Sequence, residues 1–194
     1  MSAQGGDNDR LYTITRREPV DRVMTTMTVN GAGHRIAVRP YDVLLDVLRE
    51  QLNLTGSRRG CDMGTCGCCT VILDGRPILS CLTLALEAEG SHVTTIEGIA
   101  HQQEAGELHP VQQAFVDQGA SQCGFCTPGF IMTAVSLLSK TASPTEIEIR
   151  EAISGNMCRC TGYLSIIAAI QQAAAVLRQE PPSTAEPHST GGKR

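Results

Sequence analysis

The chain has 194 residues with 41% hydrophobic side chains, which is enough to bury an ordinary core. Its formal net charge of -4 and its six aromatic residues, three Tyr and three Phe with no Trp, argue against a nucleic-acid surface. No apolar run approaches the ~20 residues that a transmembrane helix needs.

Both ends of the chain are polar. We expect an N-terminal tail over residues 1–24 and a disordered tail over residues 179–194. Thr15-Arg16-Arg17 looks like the start of a twin-arginine export signal, but no apolar segment follows it, so the sequence predicts a cytoplasmic protein rather than a periplasmic one. In that reducing compartment, nine cysteines favour metal ligation over disulfides.

The first half of the folded body, residues 25–100, mixes strand and helix signals. Alternating β-branched residues and turn residues predict strands at 27–29, 35–38, 70–73, 77–79 and 92–96. Leucine and valine at helical spacing predict a helix over residues 44–54, and a shorter helix is expected from Leu82. This order predicts a small mixed sheet packed on one helix.

The second half, residues 108–178, loses the strand signals. Apolar residues three and four positions apart predict four helices, at 110–116, 128–138, 144–153 and 163–177. The boundary between the halves falls in the polar stretch 100–107. The predicted fold class is therefore α+β, with an all-α four-helix domain after the sheet domain.

Four cysteines spaced C-x4-C-x2-C-x11-C form a first cysteine set: Cys61, Cys66, Cys69 and Cys81. This spacing is typical of plant-type [2Fe-2S] ferredoxins, whereas zinc favours paired C-x2-C knuckles. Gly60, Gly64 and Gly67 would allow a tight loop whose N–H groups offset the thiolate charge. Cys68 does not fit the spacing, and we interpret it as a thiol that does not bind metal.

The remaining four cysteines form a second cysteine set: Cys123, Cys126, Cys158 and Cys160. A threonine follows each pair, and we expect Thr127 and Thr161 to cap helices whose N-termini face one anionic centre. The repeated pattern predicts pseudo-two-fold symmetry within the four-helix domain. The C-x2-C and C-x-C spacings alone leave both zinc and an iron–sulfur cluster open.

Three segments in this order, GCDMGTCGCCTVILDGRPILSC, QCGFCTPGFIM and GNMCRCTGY, closely resemble the iron–sulfur subunit of the molybdenum hydroxylases, the xanthine dehydrogenase and aldehyde oxidoreductase family. The likeness covers about residues 27–178. It implies a β-grasp ferredoxin-like domain and a helical domain, each with one [2Fe-2S] cluster. The first cysteine set would hold the cluster nearer the surface, and the second set the one nearer molybdenum. Position 68, usually a small residue in this family, is Cys here.

The resemblance also implies an electron-transfer subunit of an oxidoreductase that has no catalytic residue of its own. Electrons would come from a large subunit with molybdopterin cytosine dinucleotide and pass to an FAD-binding medium subunit or a cytochrome-type acceptor. Gln122, directly before Cys123, matches the family position that hydrogen-bonds the pterin. The alternatives are a stand-alone ferredoxin-like carrier, which needs one cluster, and a zinc-stabilised interaction module, which would be colourless.

The assignment of Cys69 rather than Cys68 as a ligand can be tested by iron analysis. We expect Cys68→Ala to retain the parent's iron, about four atoms per chain for two clusters, because no metal bond is lost. The matched variant Cys69→Ala should lose iron. A loss of iron in Cys68→Ala would contradict the assignment.

Overall fold

The computed structural model of the protein describes residues 20–100 and 107–179. Residues 1–19 and 180–194 of the expected tails, the Thr15-Arg16-Arg17 segment and residues 101–106 lie outside these ranges. Val23 and Met24, expected in the N-terminal tail, instead begin the first strand, and Gln179 ends the last helix.

Five strands form one mixed sheet in the order β2-β1-β5-β3-β4. They are β1 Val23–Val29, β2 Ala32–Val38, β3 Thr70–Leu73, β4 Arg76–Leu79 and β5 His92–Thr94. The pairs β1/β2 and β3/β4 are antiparallel, while β5 runs parallel to β1 and antiparallel to β3. All the predicted strands are present, and the last one ends at Thr94 rather than at residue 96.

Each hairpin closes through a two-residue turn in which both residues have positive φ. The angles are 51° and 83° at Asn30 and Gly31, and 47° and 78° at Asp74 and Gly75. Turns of this kind follow the natural twist of the strands. The Asn30 side chain also donates to the Thr95 hydroxyl and accepts from the Thr95 N–H, both at 2.9 Å. This contact ties the first hairpin to the end of β5.

The predicted helix over residues 44–54 is shorter and less regular than expected. The helical turn α1, Leu44–Asp46, continues as a π-helical turn over Val47–Gln51. Asn53 then takes a φ of 56°, a left-handed conformation that ends helices, and the Leu54 N–H donates to the Leu48 carbonyl at 2.8 Å. The short helix expected from Leu82 is a 3-10 turn at Ala85–Ala88.

Five helices follow the sheet: α2 Ile96–Ala100, α3 Pro110–Asp117, α4 Thr127–Leu138, α5 Glu146–Ala152 and α6 Leu164–Gln179. The four helices predicted for the second half are confirmed as α3 to α6. Phe130, Ile149 and Ile170 are fully buried among them, and Ile99 of α2 belongs to the same core. None of the helices in the described ranges has the length and hydropathy to cross a membrane. Helix α4 packs on β3 and β4, so the helical unit rests against one edge of the sheet.

Candidate metal centres

The first cysteine set lies between the π-helical turn and β3, with Cys81 following β4. Cys61 is half-buried, whereas Cys66, Cys69 and Cys81 are only 8%, 2% and 8% exposed. Among these four thiols, Cys61 neighbours Cys66 and Cys69 neighbours Cys81, while Cys66 also lies beside Cys68. Two irons that each need two protein thiolates fit such an arrangement.

Loop N–H groups point at the sulfur of Cys61. The N–H of Met63, followed by the Cys66 thiol and the N–H groups of Cys66 and Thr65, lowers the pKa of Cys61 to about 6. The Thr65 hydroxyl lies 3.8 Å from the same sulfur. The loop is therefore built to stabilise a thiolate at this position, which is what a metal ligand must be.

At Cys81, the last member of the first set, burial has the largest effect on the pKa of the thiol. Desolvation, then the Cys69 thiol, raises the pKa of Cys81 to about 12, so a thiolate there requires nearby positive charge such as a metal. Arg59 supplies part of that charge from its ion pair with Asp46.

Two glycines of this loop are required for different reasons. Gly67 has a φ of +68°, and a Cβ there would lie 2.4 Å from the Asn156 side-chain nitrogen. At Gly60, which has no positive φ, a Cβ would lie 2.9 Å from the Cys68 sulfur and 3.0 Å from the Cys66 sulfur. An alanine at either position would therefore require its neighbours to shift.

Cys68 lies beside the first set and is only 4% exposed. Its sulfur is 3.9 Å from the Cys66 carbonyl, and burial raises the pKa of its thiol to about 12. The thiol that neighbours Cys81 is that of Cys69. The position of Cys69 beside Cys81 favours Cys69 as the ligand, and Cys68 is buried beside Cys66.

The second cysteine set is also arranged as two pairs, each with one member from each motif. Cys123 and Cys160 are exposed, with their sulfurs 3.6 Å apart, and Cys126 neighbours Cys158 in a half-buried position. The Thr161 N–H and hydroxyl donate to the Cys158 sulfur at 3.5 and 3.2 Å. Hydrogen-bond donors therefore face sulfur here as they do at Cys61.

The expectation that Thr127 and Thr161 cap helices is wrong. Cys126 itself occupies the position before α4, and Thr127 is the first helical residue. The Thr161 hydroxyl accepts from the Tyr163 N–H at 3.2 Å, but Tyr163 has a φ of 70° and α6 begins only at Leu164. The left-handed residue separates the threonine from the helix that it was expected to cap.

The pairing of thiols also bears on which metal fits. A two-iron core accepts two separated pairs of thiolates, which both cysteine sets offer, whereas a tetrahedral zinc would require four thiolates around one point. The residues present thus fit [2Fe-2S] clusters.

Gln122 is exposed, next to the exposed Cys123. Two residues of this region were not identified as important by their spacing in the sequence. Asn156 is 5% exposed and bridges the two halves of the protein. Arg58 donates to the Gly124 carbonyl at 2.9 Å. Nothing local in the sequence indicates either contact, because each joins residues that are far apart in the chain.

Two protein families match consecutive segments of the chain. Residues 27–94 match the 2Fe-2S iron-sulfur cluster binding domain, and residues 95–171 match the [2Fe-2S] binding domain. Together they span the sheet and most of the helical unit.

Two relatives match most of this chain and most of their own length. The nicotine 6-hydroxylase small subunit of Paenarthrobacter nicotinovorans is 45% identical over 82% of this chain and 94% of its own. The nicotinate dehydrogenase small FeS subunit of Eubacterium barkeri is 46% identical over 79% and 96%.

Two solved structures are also similar to this chain. Quinoline 2-oxidoreductase from Pseudomonas putida 86 superimposes with a TM-score of 0.77 at 43% identity, covering 82% of this chain and 98% of that chain. The aldehyde oxidoreductase from Desulfovibrio gigas gives 0.77 at 43% identity, but the match covers 84% of this chain and only 18% of that longer one.

The close packing around Gly67 can be tested with an alanine. We expect Gly67→Ala to lower the free energy of unfolding by about 1–2 kcal/mol for the left-handed residue and by a further 1–3 kcal/mol for overpacking against Asn156. Gly75→Ala is a matched control, since Gly75 has a φ of +78° and a Cβ there would meet nothing within 4 Å. Urea unfolding of both variants measures the difference, and equal losses would show that the packing at Gly67 is unimportant.

Proposed function

The chain belongs to the iron–sulfur subunits of the molybdenum hydroxylases, and we propose that it relays electrons singly through two [2Fe-2S] clusters to a separate acceptor. As an iron–sulfur subunit it contributes to an oxidoreductase whose substrate reacts on a partner subunit.

The pairing of the thiols carries the proposal. One iron would be held by Cys61 and Cys66 and another by Cys69 and Cys81. In the helical unit the pairs would be Cys123 with Cys160 and Cys126 with Cys158. When bound, each cluster would supply one-electron redox chemistry. The residues around it would hold the thiolates and donate hydrogen bonds to sulfur.

We propose that the two clusters lie in two domains, about residues 25–100 and 108–178. Strand β1 begins slightly before the first domain's expected start, at Val23, and α6 ends just after the second domain's expected end, at Gln179. A mixed sheet over one helix supports a β-grasp fold for the first domain. The second is proposed to have pseudo-two-fold symmetry because α4 and α6 each follow a cysteine pair. Nine cysteines without a disulfide support a cytoplasmic location.

The second cysteine set is the side that we propose to face the molybdenum subunit. Its outer thiols, Cys123 and Cys160, are exposed. Apolar side chains beside them are also exposed: Phe125 by 45%, Met157 by 58% and Leu164 by 71%. An exposed apolar surface of this kind is typical of a site that a partner subunit covers. Gln122, at its edge, would reach the pterin of molybdopterin cytosine dinucleotide.

The first cysteine set would pass electrons onward through Cys61, its least buried member, to FAD or a cytochrome-type acceptor. The names of the relatives refer to nicotine, nicotinate, quinoline and aldehydes. We therefore propose an N-heterocycle or an aldehyde as the substrate class of the partner. A stand-alone carrier would not need the second set with its exposed apolar surroundings.

The presence of two independent clusters can be tested by replacing one cysteine ligand in each set. The reduced, iron-loaded chain should give two distinct electron paramagnetic resonance signals and about four irons. We expect Cys61→Ser to lose one signal and Cys160→Ser the other, each with about half of the iron, since these are among the most exposed members of their sets. Zinc in place of iron, or the loss of both signals in either variant, would contradict two independent clusters.

The role of Gln122 is tested in the assembled enzyme. Losing one neutral hydrogen bond to the pterin should lower turnover of Gln122→Ala by about 2- to 10-fold, the equivalent of about 0.5–1.5 kcal/mol. Both iron–sulfur signals should be unchanged. Gln51→Ala, at an exposed glutamine on the π-helical turn, is the matched control. Unchanged turnover in Gln122→Ala would refute the contact.

A further inference from the structure

The side chain of Arg58 reaches from the loop of the first cysteine set to the second set. The Arg58 N–H donates to the Cys68 carbonyl at 3.1 Å, which fixes the residue in the loop before β3. Its half-buried guanidinium donates to the Gly124 carbonyl, with 2.9 Å between nitrogen and oxygen. Gly124 lies between Cys123 and Cys126, so a residue of the sheet half contacts one of the two motifs of the second set.

The Gly124 carbonyl belongs to the same peptide group as the Phe125 N–H. That N–H is the largest influence on the pKa of the Cys123 thiol, which it lowers, so it faces the Cys123 sulfur. A trans peptide group is planar, with its carbonyl and its N–H directed to opposite sides, and every peptide bond in the described ranges is trans. A donor that holds the carbonyl on one side therefore directs the N–H to the sulfur on the other.

The positive charge of Arg58 strengthens this arrangement. Among residues 20–100 and 107–179, Arg58 has no carboxylate partner, whereas the neighbouring Arg59 is paired with Asp46. The Arg58 guanidinium also lies 5.3 Å from the ring centre of Phe125, a cation–π contact that holds it over the loop. A hydrogen bond from a cation is stronger than a neutral one and polarises the amide that accepts it, which makes the N–H of that amide a better donor.

We propose that Arg58 is a positioning residue of the second site, which directs the Phe125 N–H to the Cys123 sulfur and thereby raises the reduction potential of the cluster bound there. This inference rests on the proposed two-cluster function. A reduced cluster carries one more negative charge than an oxidised one, so a stronger hydrogen bond to its thiolate favours the reduced form. Arg59 would act on the first set instead, through Cys81.

The test compares the midpoint potentials of the two paramagnetic signals in the iron-loaded full chain. The second signal is the one that Cys160→Ser removes. Arg58→Met removes the charge and the donors but keeps an unbranched stem, and Arg58→Lys keeps the charge on a single nitrogen. Arg59→Met is the matched control, because it removes the same charge from the adjacent residue, whose guanidinium donates to Asp46 instead.

We expect Arg58→Met to lower the equilibrium constant for reducing the second site about 3- to 10-fold. This equals a shift of about 30–60 mV to more negative potential, at about 59 mV per tenfold. The first signal should keep its potential, and the iron content should match the parent's. Arg58→Lys should shift the second signal by less than half as much, because a charged donor remains. In Arg59→Met the first signal should shift and the second should not.

A backbone ester tests whether Arg58 acts through the peptide group. The α-hydroxy analogue of phenylalanine at position 125 removes the N–H that faces Cys123. The ester alone should lower the second potential, and adding Arg58→Met to it should cause little further change, because both substitutions remove the same interaction.

Two results overturn the inference. One is a parental second potential in Arg58→Met with both signals intact, which would leave Arg58 as a structural link only. The other is an equal shift of the second potential in Arg59→Met, which would assign the effect to the net charge of the loop. If Arg58→Met does not load iron at the second site, Arg58→Gln, which keeps a neutral donor, is judged by the same criteria. A parent chain with a single signal would instead refute the proposed function.

Discussion

The Gly67 carbonyl accepts hydrogen bonds both from its own cysteine loop and from the helical unit. It accepts from the Thr70 N–H at 3.2 Å, from the Thr70 hydroxyl at 2.7 Å and from Asn156 at 3.1 Å. A loop that turns its N–H groups toward sulfur leaves its carbonyl groups facing away, and buried carbonyls need donors. The helical unit supplies those donors through Asn156 and Met157. Each half of the protein therefore completes the hydrogen bonding of the other.

Local patterns in the sequence predict the parts of this protein that depend on local physics. The hairpins follow from turn residues, the helices from apolar spacing, and membership of the two cysteine sets from short motifs. Asn53 ends the π-helical turn and Tyr163 precedes α6, each in a left-handed conformation. Neither residue is itself a glycine, so the sequence does not indicate a left-handed conformation at these positions. The contacts of Asn156 with Gly67 and Thr133 could not be predicted, because no local rule relates residues so distant in the chain.

Which cysteines lie next to each other also cannot be predicted from the spacing of the cysteines in the sequence. In the second set the pairs are nested, so that the first cysteine meets the last and the inner two meet each other. Each pair thus joins the loop before α4 to the loop before α6. Metal bound there would cross-link two distant segments, which couples metal binding to the stability of the helical unit. The first set achieves its pairing mostly within one loop and depends less on such a long-range link.

The unequal burial of the two sets has a consequence for how an enzyme of this kind is put together. Cys123 and Cys160 stay open to water in the isolated chain, whereas most of the first set does not. A subunit that covers those thiols shields them from oxidants and chelators, and by mass action it strengthens the hold on iron. By reciprocity, a chain that has already acquired its iron presents a better-ordered surface to that subunit. If the proposed clusters and partner are present, iron loading and subunit assembly would form a single linked equilibrium in which chains without iron bind the partner less well.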